Sequence, residues 1–166
     1  MNLKRIGVAL ALALGFALPG IASDRDSIVR FEGGIGSQPF RSTAGAPAPN
    51  AVQGVNPGGA PWVIAALRAD IRTDGRIAVA GRGLLLGGGN GIGTTAGQSV
   101  RARLYCGTLA HETALVPLEA NGDFRIDDFL LPAPPSPCAS PVLLIVNTGG
   151  AWFAAGIPKF AGGSED

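Results

Sequence analysis

The chain has 166 residues, and its 13 lysines and arginines nearly balance its 12 aspartates and glutamates, giving a formal net charge of +1. This balance argues against a general nucleic-acid-binding protein, which needs a basic surplus to displace counterions from phosphates. The 26 glycines and 13 prolines indicate many turns, whereas a hydrophobic content of 46% is too high for a disordered chain. We therefore expect a folded, loop-rich protein that binds no nucleic acid.

Residues 1–22 have the pattern of a cleavable export signal. Lys4 and Arg5 form a positive start, residues 8–18 are apolar, and small residues precede a predicted cleavage site after Ala22. The apolar run is too short to span a bilayer, and no later stretch approaches the roughly 18 apolar residues of a transmembrane helix. We expect an exported protein, periplasmic or extracellular, with no membrane span after signal cleavage.

The segment at about 35–61 is rich in glycine and proline and has no sustained periodicity. A segment of this length without regular structure is unusual inside a compact domain, so it is either a functional loop or a flexible spacer. The sequence leaves both interpretations open. We expect one domain over residues 23–160 that includes this segment, followed by a flexible tail at 161–166.

The first clear hairpin surrounds a turn at 73–75. Apolar residues alternate with charged ones before the turn, and the apolar phase resumes after it. A three-residue loop pairs Ile71 with Ile77, which keeps both on one face, whereas a two-residue loop would mix the faces. The longer loop also places Gly75 in the left-handed conformation that it requires.

A second hairpin is predicted around residues 120–122. A three-residue loop there pairs Leu118 with Phe124, with its glycine again left-handed. Glu119 and Asp123 then face each other across the loop, and like charges so placed are unfavourable unless a positive group or water intervenes. Calcium is a candidate because it prefers oxygen ligands, although the chain has no Asp-x-Asp-x-Asp-Gly loop.

Cys106 and Cys138 are the only two cysteines. In an exported protein two such residues usually join each other, and the absence of Cys-x-x-Cys spacing argues against a redox role. We expect a structural disulfide that stabilises the fold by about 3–4 kcal/mol in the chain-entropy model.

The fold class follows from the number and spacing of short apolar runs. Residues 142–146 are apolar without alternation, which is typical of a strand covered on both faces. We predict an all-β protein, a two-sheet antiparallel β-sandwich of about seven or eight short strands with long Gly/Pro-rich loops. Residues 100–146, with Gly-Asp-Phe-Arg-Ile at 122–126, resemble the strand rhythm of prealbumin-like sandwich modules, which implies the same architecture.

Several arginines lie off the apolar phase of the predicted strands. If these strands are neighbours, the side chains form a basic stripe on the outer face. Such charges mainly keep a sheet soluble, but the arginine fork also suits the carboxylates or phosphates of an anionic envelope polymer. The candidate ligand-binding arginines are Arg68, Arg72, Arg76, Arg101 and Arg103.

The glycine-rich run at 87–97 contains a Gly-x-Gly-x-x-Ala spacing that starts at Gly91. A dinucleotide site needs a helix at this point, but the following residues alternate like a strand, so we expect no cofactor. The run is better interpreted as a binding loop at one end of the sandwich. Its candidate ligand contacts are Asn90, Thr94 and Thr95.

Residue types suited to catalysis are sparse. His111 is the only histidine, and the chain has no Gly-x-Ser-x-Gly sequence. We therefore predict an exported, non-catalytic binding or interaction module of the cell envelope or extracellular space, with an anionic envelope polymer or a protein as its partner. A small secreted hydrolase that uses Asp and Glu residues, or a subunit of an envelope complex, is the alternative.

Overall fold

A computed structural model describes residues 26–159 of the chain. The regular structure of these residues is strand, which confirms the all-β prediction. The predicted signal at 1–22 and the predicted tail at 161–166 lie outside the described residues. Within 26–159, no helix has the length and hydrophobicity needed to cross a membrane.

The described residues form 13 strands, more than the seven or eight predicted, because several short pairings lie between the long strands. In chain order they are β1 (Ser27–Gly36), β2 (Phe40–Thr43), β3 (Ala46–Pro49), β4 (Trp62–Val63), β5 (Ala66–Arg72), β6 (Arg76–Arg82), β7 (Leu85–Leu86), β8 (Ser99–Cys106), β9 (Leu109–Glu112), β10 (Val116–Pro117), β11 (Phe124–Phe129), β12 (Val142–Asn147) and β13 (Trp152–Lys159).

Nine of these strands form one antiparallel sheet in the order β10–β8–β12–β13–β1–β5–β6–β11, with β9 also paired to β8. The sheet nearly closes into a barrel, since Glu112 at the end of β9 exchanges two backbone hydrogen bonds with Leu131 beyond β11, at 2.9 and 3.0 Å. The predicted division into two sheets is not clearly present. A sheet that curls on itself buries one apolar face as well as two stacked sheets do, so both arrangements give the same alternation in sequence.

The hairpin between β5 and β6 has the predicted register. Ile71 pairs with Ile77 and both are fully buried, while Gly75 has a φ of +84°. The inward side chains of the other long strands complete the core of the barrel. Its large, fully buried members include Phe31, Leu67, Ile71, Ile77, Leu104, Ile126, Leu143 and Ile145.

The second hairpin is formed only near its loop. Gly122 has the predicted left-handed backbone, with a φ of +81°, and the Glu119 amide donates to the Asp123 carbonyl at 2.9 Å. Beyond this pair the two sides have different neighbours, because β10 pairs with β8 and β11 pairs with β6. The predicted pairing of Leu118 with Phe124 is therefore replaced, and Phe124 lies opposite Gly81.

The segment at 35–61 is partly a covering layer. After the exposed β2–β3 hairpin, residues 50–58 cross the outer face of β12 and β13, where Val55 packs with Val146 and Trp152. The Trp152 indole donates to the Asn50 carbonyl at 3.0 Å. As predicted from its continuous apolar sequence, β12 is therefore covered on both faces.

Cys106 and Cys138 form the predicted disulfide, with Cα atoms 4.9 Å apart. The bond joins the buried end of β8 to the proline-rich segment that precedes β12. A backbone hydrogen bond of 2.7 Å from Gly107 to Ala139 lies beside it. The disulfide therefore attaches a connection without regular structure to the core.

Candidate functional site

The five predicted ligand-binding arginines do not form one stripe. Arg101 and Arg103 lie on β8, which is separated from β5 and β6 by β12, β13 and β1 along the sheet. Both are half-buried and both bind Glu112, Arg101 at 3.0 Å and Arg103 through Nε. Because one carboxylate accepts from both guanidinium groups, this cluster has a clear structural role in joining β8 to β9.

The other three arginines lie on the opposite part of the sheet. The Arg76 guanidinium lies 5.3 Å from the ring centroid of Phe129, a cation–π contact at the turn end of the β5–β6 hairpin. Arg72, the last residue of β5, is half-buried and pairs with Ser27 of β1. Arg68 is exposed and lines a groove on the outer face of the sheet, which neither Arg72 nor Arg76 does.

The glycine-rich loop is closed by its own hydrogen bonds. The Thr94 hydroxyl donates to the Gly91 carbonyl at 2.8 Å, and the Thr94 carbonyl accepts from the Leu86 amide at 2.9 Å. Thr95 is buried, while Asn90 is exposed. Strand β8 follows, and not a helix, so the dinucleotide-binding pattern lacks the structural context that it requires. None of the three predicted contacts lines the outer groove.

The predicted calcium ligands are only partly placed for that role. Asp123 Oδ1 accepts a hydrogen bond of 3.0 Å from the Gly83 amide, which gives this carboxylate a structural function. Glu119 is exposed, and its backbone pairs with Asp123. Between residues 26 and 159 no group of three or more His, Cys, Asp or Glu side chains is arranged to hold a metal ion.

His111 lies inside the barrel and is 2% exposed. Its Nδ1 is 2.7 Å from the Pro132 carbonyl oxygen, which can only accept, so Nδ1 carries a proton. Its Nε2 has no hydrogen-bond partner in the described structure. The position of the ring across the β9–β11 closure therefore suits a structural residue and not the base of a nucleophilic triad.

The outer groove is an open depression of about 270 Å³ across β13, β1, β5, β6 and β11. Its walls are charged, and its lowest part lies over two alanines of β6. We define it by its outward-facing residues, which are Arg30, Glu32, Arg68, Asp70, Ala78, Ala80, Arg125 and Lys159.

The groove exists because β6 carries small outward side chains between two strands with long ones. Arg68 of β5 pairs with Ala80, and Ala80 pairs on its other side with Arg125 of β11. Alternate residues of a strand share a face, and the buried Val79 shows that its two alanine neighbours point outward. Since adjacent strands are about 4.8 Å apart, the walls on β5 and β11 are about 10 Å apart.

The groove is locally basic on a nearly neutral chain, with four cationic and two anionic side chains along its walls. Glu32 lies 2.8 Å from Lys159 and 3.4 Å from Arg68, and Asp70 lies 3.1 Å from Arg30. The side chains of Arg68 and Lys159 are 78% and 62% exposed, so these ion pairs are weak and can exchange for a ligand.

The groove also perturbs one of its own carboxylates. A hydrogen bond and the charge of Lys159, with a further contribution from Arg68, hold the pKa of the exposed Glu32 below its ordinary value. Because the folded-state pKa is depressed, this contact stabilises the fold above the unfolded-state pKa, and that stability is lost as the pH falls through the folded-state pKa.

We predict that Lys159→Met raises the pKa of Glu32 towards its ordinary value, because the substitution removes the largest cause of the shift. Carboxyl-detected NMR titration measures this pKa directly. Arg41→Gln is the control, since Arg41 lies on β2 outside the groove, and its substitution should leave the titration of Glu32 unchanged. An unaltered pKa of Glu32 in the Lys159 variant would contradict the contact.

Three of the groove cations, Arg30, Arg125 and Lys159, were not among the predicted contacts. Each lies on a different strand, β1, β11 or β13, and only the sheet order brings these strands to the same part of the sheet as β5. The sequence feature that indicates the groove is the alternation of the small residues Ala78 and Ala80 with large buried residues, which leaves a depression on the outer face of β6.

Comparison with family models, with curated proteins and with solved structures finds no match for this chain.

Proposed function

We propose that this chain is an exported, non-catalytic binding module of the cell envelope or extracellular space, and that its outer groove binds an anionic polymer. The observation that carries the proposal is the local excess of positive charge in the groove of a nearly neutral chain. Guanidinium groups suit carboxylates and phosphates because they donate two parallel hydrogen bonds. Arg125 supports this use, since it has no ion-pair partner among residues 26–159.

The shape of the groove favours a segment of a long molecule over an enclosed small substrate. It crosses five strands, which at about 4.8 Å for each spacing corresponds to a length of about 19 Å. Its volume of about 270 Å³ is small for that length, as expected for an open surface groove and not for an enclosed cavity. An extended polymer can follow such a surface and continue beyond both ends.

Export is part of the proposal and has its own test. The disulfide is compatible with an oxidising compartment, and residues 1–22 have the composition of a signal. Mass spectrometry of the protein recovered from its host should find a chain that begins at Ser23 and contains no free thiol. A chain that retains residues 1–22 would contradict cleavage.

We predict saturable binding of the exported protein to isolated anionic envelope polymers, weakened at high salt because exposed charges are screened within about 10 Å at 0.1 M. The double variant Arg68→Gln/Arg125→Gln should bind at least about tenfold more weakly, since each lost charge-assisted hydrogen bond is worth about 1.5–3 kcal/mol. Sedimentation of labelled protein with the insoluble polymer measures both effects.

The matched controls separate the groove from general charge attraction. Arg41→Gln removes one positive charge from the exposed β2–β3 hairpin and should leave polymer affinity unchanged, whereas Arg68→Gln alone, which also removes one charge, should weaken it. A neutral glucan of similar length should not bind in either salt. Equal affinity of the groove variant and the wild type, or binding that does not respond to salt, would overturn the proposal.

A further inference from the structure

The lowest part of the outer groove, together with the adjoining residues Arg82 and Asp127 on the same face of the sheet, forms a slot over β6 whose two rows of side chains differ in charge. At one end Arg68 and Arg125 lie on either side of Ala80. At the other end, two residues along each strand, Asp70 and Asp127 lie on either side of Ala78 in the same way. The slot therefore has an arginine row and an aspartate row, about 7 Å apart along the strands.

A third arginine completes the positive end. Arg82 follows Ala80 by two residues on the same outward face of β6, so cationic side chains surround Ala80 on three sides. Neither Arg82 nor Arg125 has an ion pair with any other described residue. An oxyanion placed over Ala80 would accept hydrogen bonds from arginines on three strands, β5, β6 and β11. Binding it would not break an ion pair of Arg82 or Arg125, because neither has one among the described residues.

At the negative end, Arg76 precedes Ala78 by two residues on the same outward face of β6, and its guanidinium lies 5.3 Å from the centroid of the Phe129 ring on β11. The carboxylates of this end are one that is held in place and one without an ion-pair partner. Asp70 accepts hydrogen bonds from the Ser27 hydroxyl at 2.9 Å and from Arg30 Nε at 3.1 Å. Asp127 is exposed and has no ion pair with the other described residues. A uniformly anionic ligand that lies along the slot would meet both carboxylates at this end, and like charges repel at this distance.

We propose that the slot binds a zwitterionic group, with a phosphate or carboxylate over Ala80 and an ammonium group over Ala78. The inference rests on the proposed function, because it takes the outer groove as the binding site and narrows its ligand to an anionic molecule that also carries amines. The oxyanion binds Arg68, Arg82 and Arg125, while the ammonium binds the free carboxylate of Asp127. The same chemistry occurs in amine-substituted polymers and in lipid headgroups.

Calorimetric titration of the exported protein with three soluble probes tests the slot. Phosphoethanolamine should bind at least about fivefold more tightly than inorganic phosphate, and ethanolamine alone should show no binding. In Asp127→Asn the affinity for phosphoethanolamine should fall to that for phosphate, while phosphate affinity is unchanged or higher. Arg125→Gln should weaken both phosphate-containing probes. Glu119→Gln, which removes an exposed carboxylate outside the groove, is the matched control and should change nothing.

The outcomes distinguish this inference from the function on which it rests. Equal binding of phosphate and phosphoethanolamine overturns the zwitterionic slot, and the groove remains a polymer site if the Arg68→Gln/Arg125→Gln variant still loses polymer binding. Retention only on amine-bearing polymers would support both the slot and the polymer function. Retention on phosphatidylethanolamine vesicles would support the slot but identify a lipid headgroup as its ligand, which overturns the polymer function. Retention on phosphatidylglycerol vesicles alone overturns it.

Discussion

Replacing both Cys106 and Cys138 by alanine is expected to lower the free energy of unfolding by about 4 kcal/mol. The disulfide joins residues 32 positions apart, and cross-linking a loop of that length removes about this much conformational freedom from the unfolded chain in the chain-entropy model. Domains are stable by only about 5–15 kcal/mol in total, so the loss is a large part of the whole.

Urea unfolding followed by tryptophan fluorescence measures this change, because Trp62 and Trp152 are both buried. Wild-type protein with its disulfide reduced and alkylated after unfolding provides a second form without the cross-link. The double serine variant should be less stable than the double alanine variant, since Cys106 is only 7% exposed and a hydroxyl there enters the core. An alanine variant with the urea midpoint of the oxidised wild type would contradict a stabilising role.

Local features of this fold could be predicted because their physical causes lie within a few residues. The register of the β5–β6 hairpin follows from the apolar phase on both sides of the turn, which leaves one loop length that keeps Ile71 and Ile77 on the same face. The covering of β12 on both faces follows from its unbroken apolar sequence. In each case a short segment contains all the information that is needed.

Relations between distant strands could not be predicted in this way. Arg101 and Arg68 alternate with buried neighbours in the same manner, yet one lies on β8 beside Glu112 and the other lies in the groove on β5. The alternation shows that a side chain points outward but does not show which strand lies beside it. Lys159 reaches the groove only because β13 pairs with β1, more than 100 residues away in the chain.

The same limit explains why the strands form one nearly closed sheet, whereas the sequence predicted two stacked sheets. The loop at 120–122 has the predicted geometry because its glycine and its short length determine it. Whether the strands that leave this loop stay together depends on what else can pair with them. Here β6 provides six consecutive partners for β11, a longer ladder than the two residues of β10 can offer. The hairpin opens, and the sheet curls to bring its ends together.

Gly122→Ala is expected to destabilise the fold by about 2–5 kcal/mol, and Gly75→Ala by only about 1–2 kcal/mol. Both glycines occupy the last position of a three-residue loop with nearly equal φ, +81° and +84°, so the left-handed backbone costs about 1–2 kcal/mol for alanine at either position. Their surroundings differ. A Cβ at Gly75 would lie 3.4 Å from the Ala133 side chain, whereas one at Gly122 would lie 2.6 Å from the Leu84 amide nitrogen.

The contact at Gly122 cannot be relieved by rotating a side chain, because it is made with backbone. Leu84 is fully buried, and its amide donates to the Gly122 carbonyl at 2.9 Å, so the chain there must shift within a packed core. Overpacking of this kind costs about 1–3 kcal/mol more. Urea unfolding of the two single variants measures how much stability each substitution costs in two loops that have the same length and the same backbone conformation at the glycine. Equal losses of stability would show that Leu84 moves freely and that this end of the barrel is not closely packed.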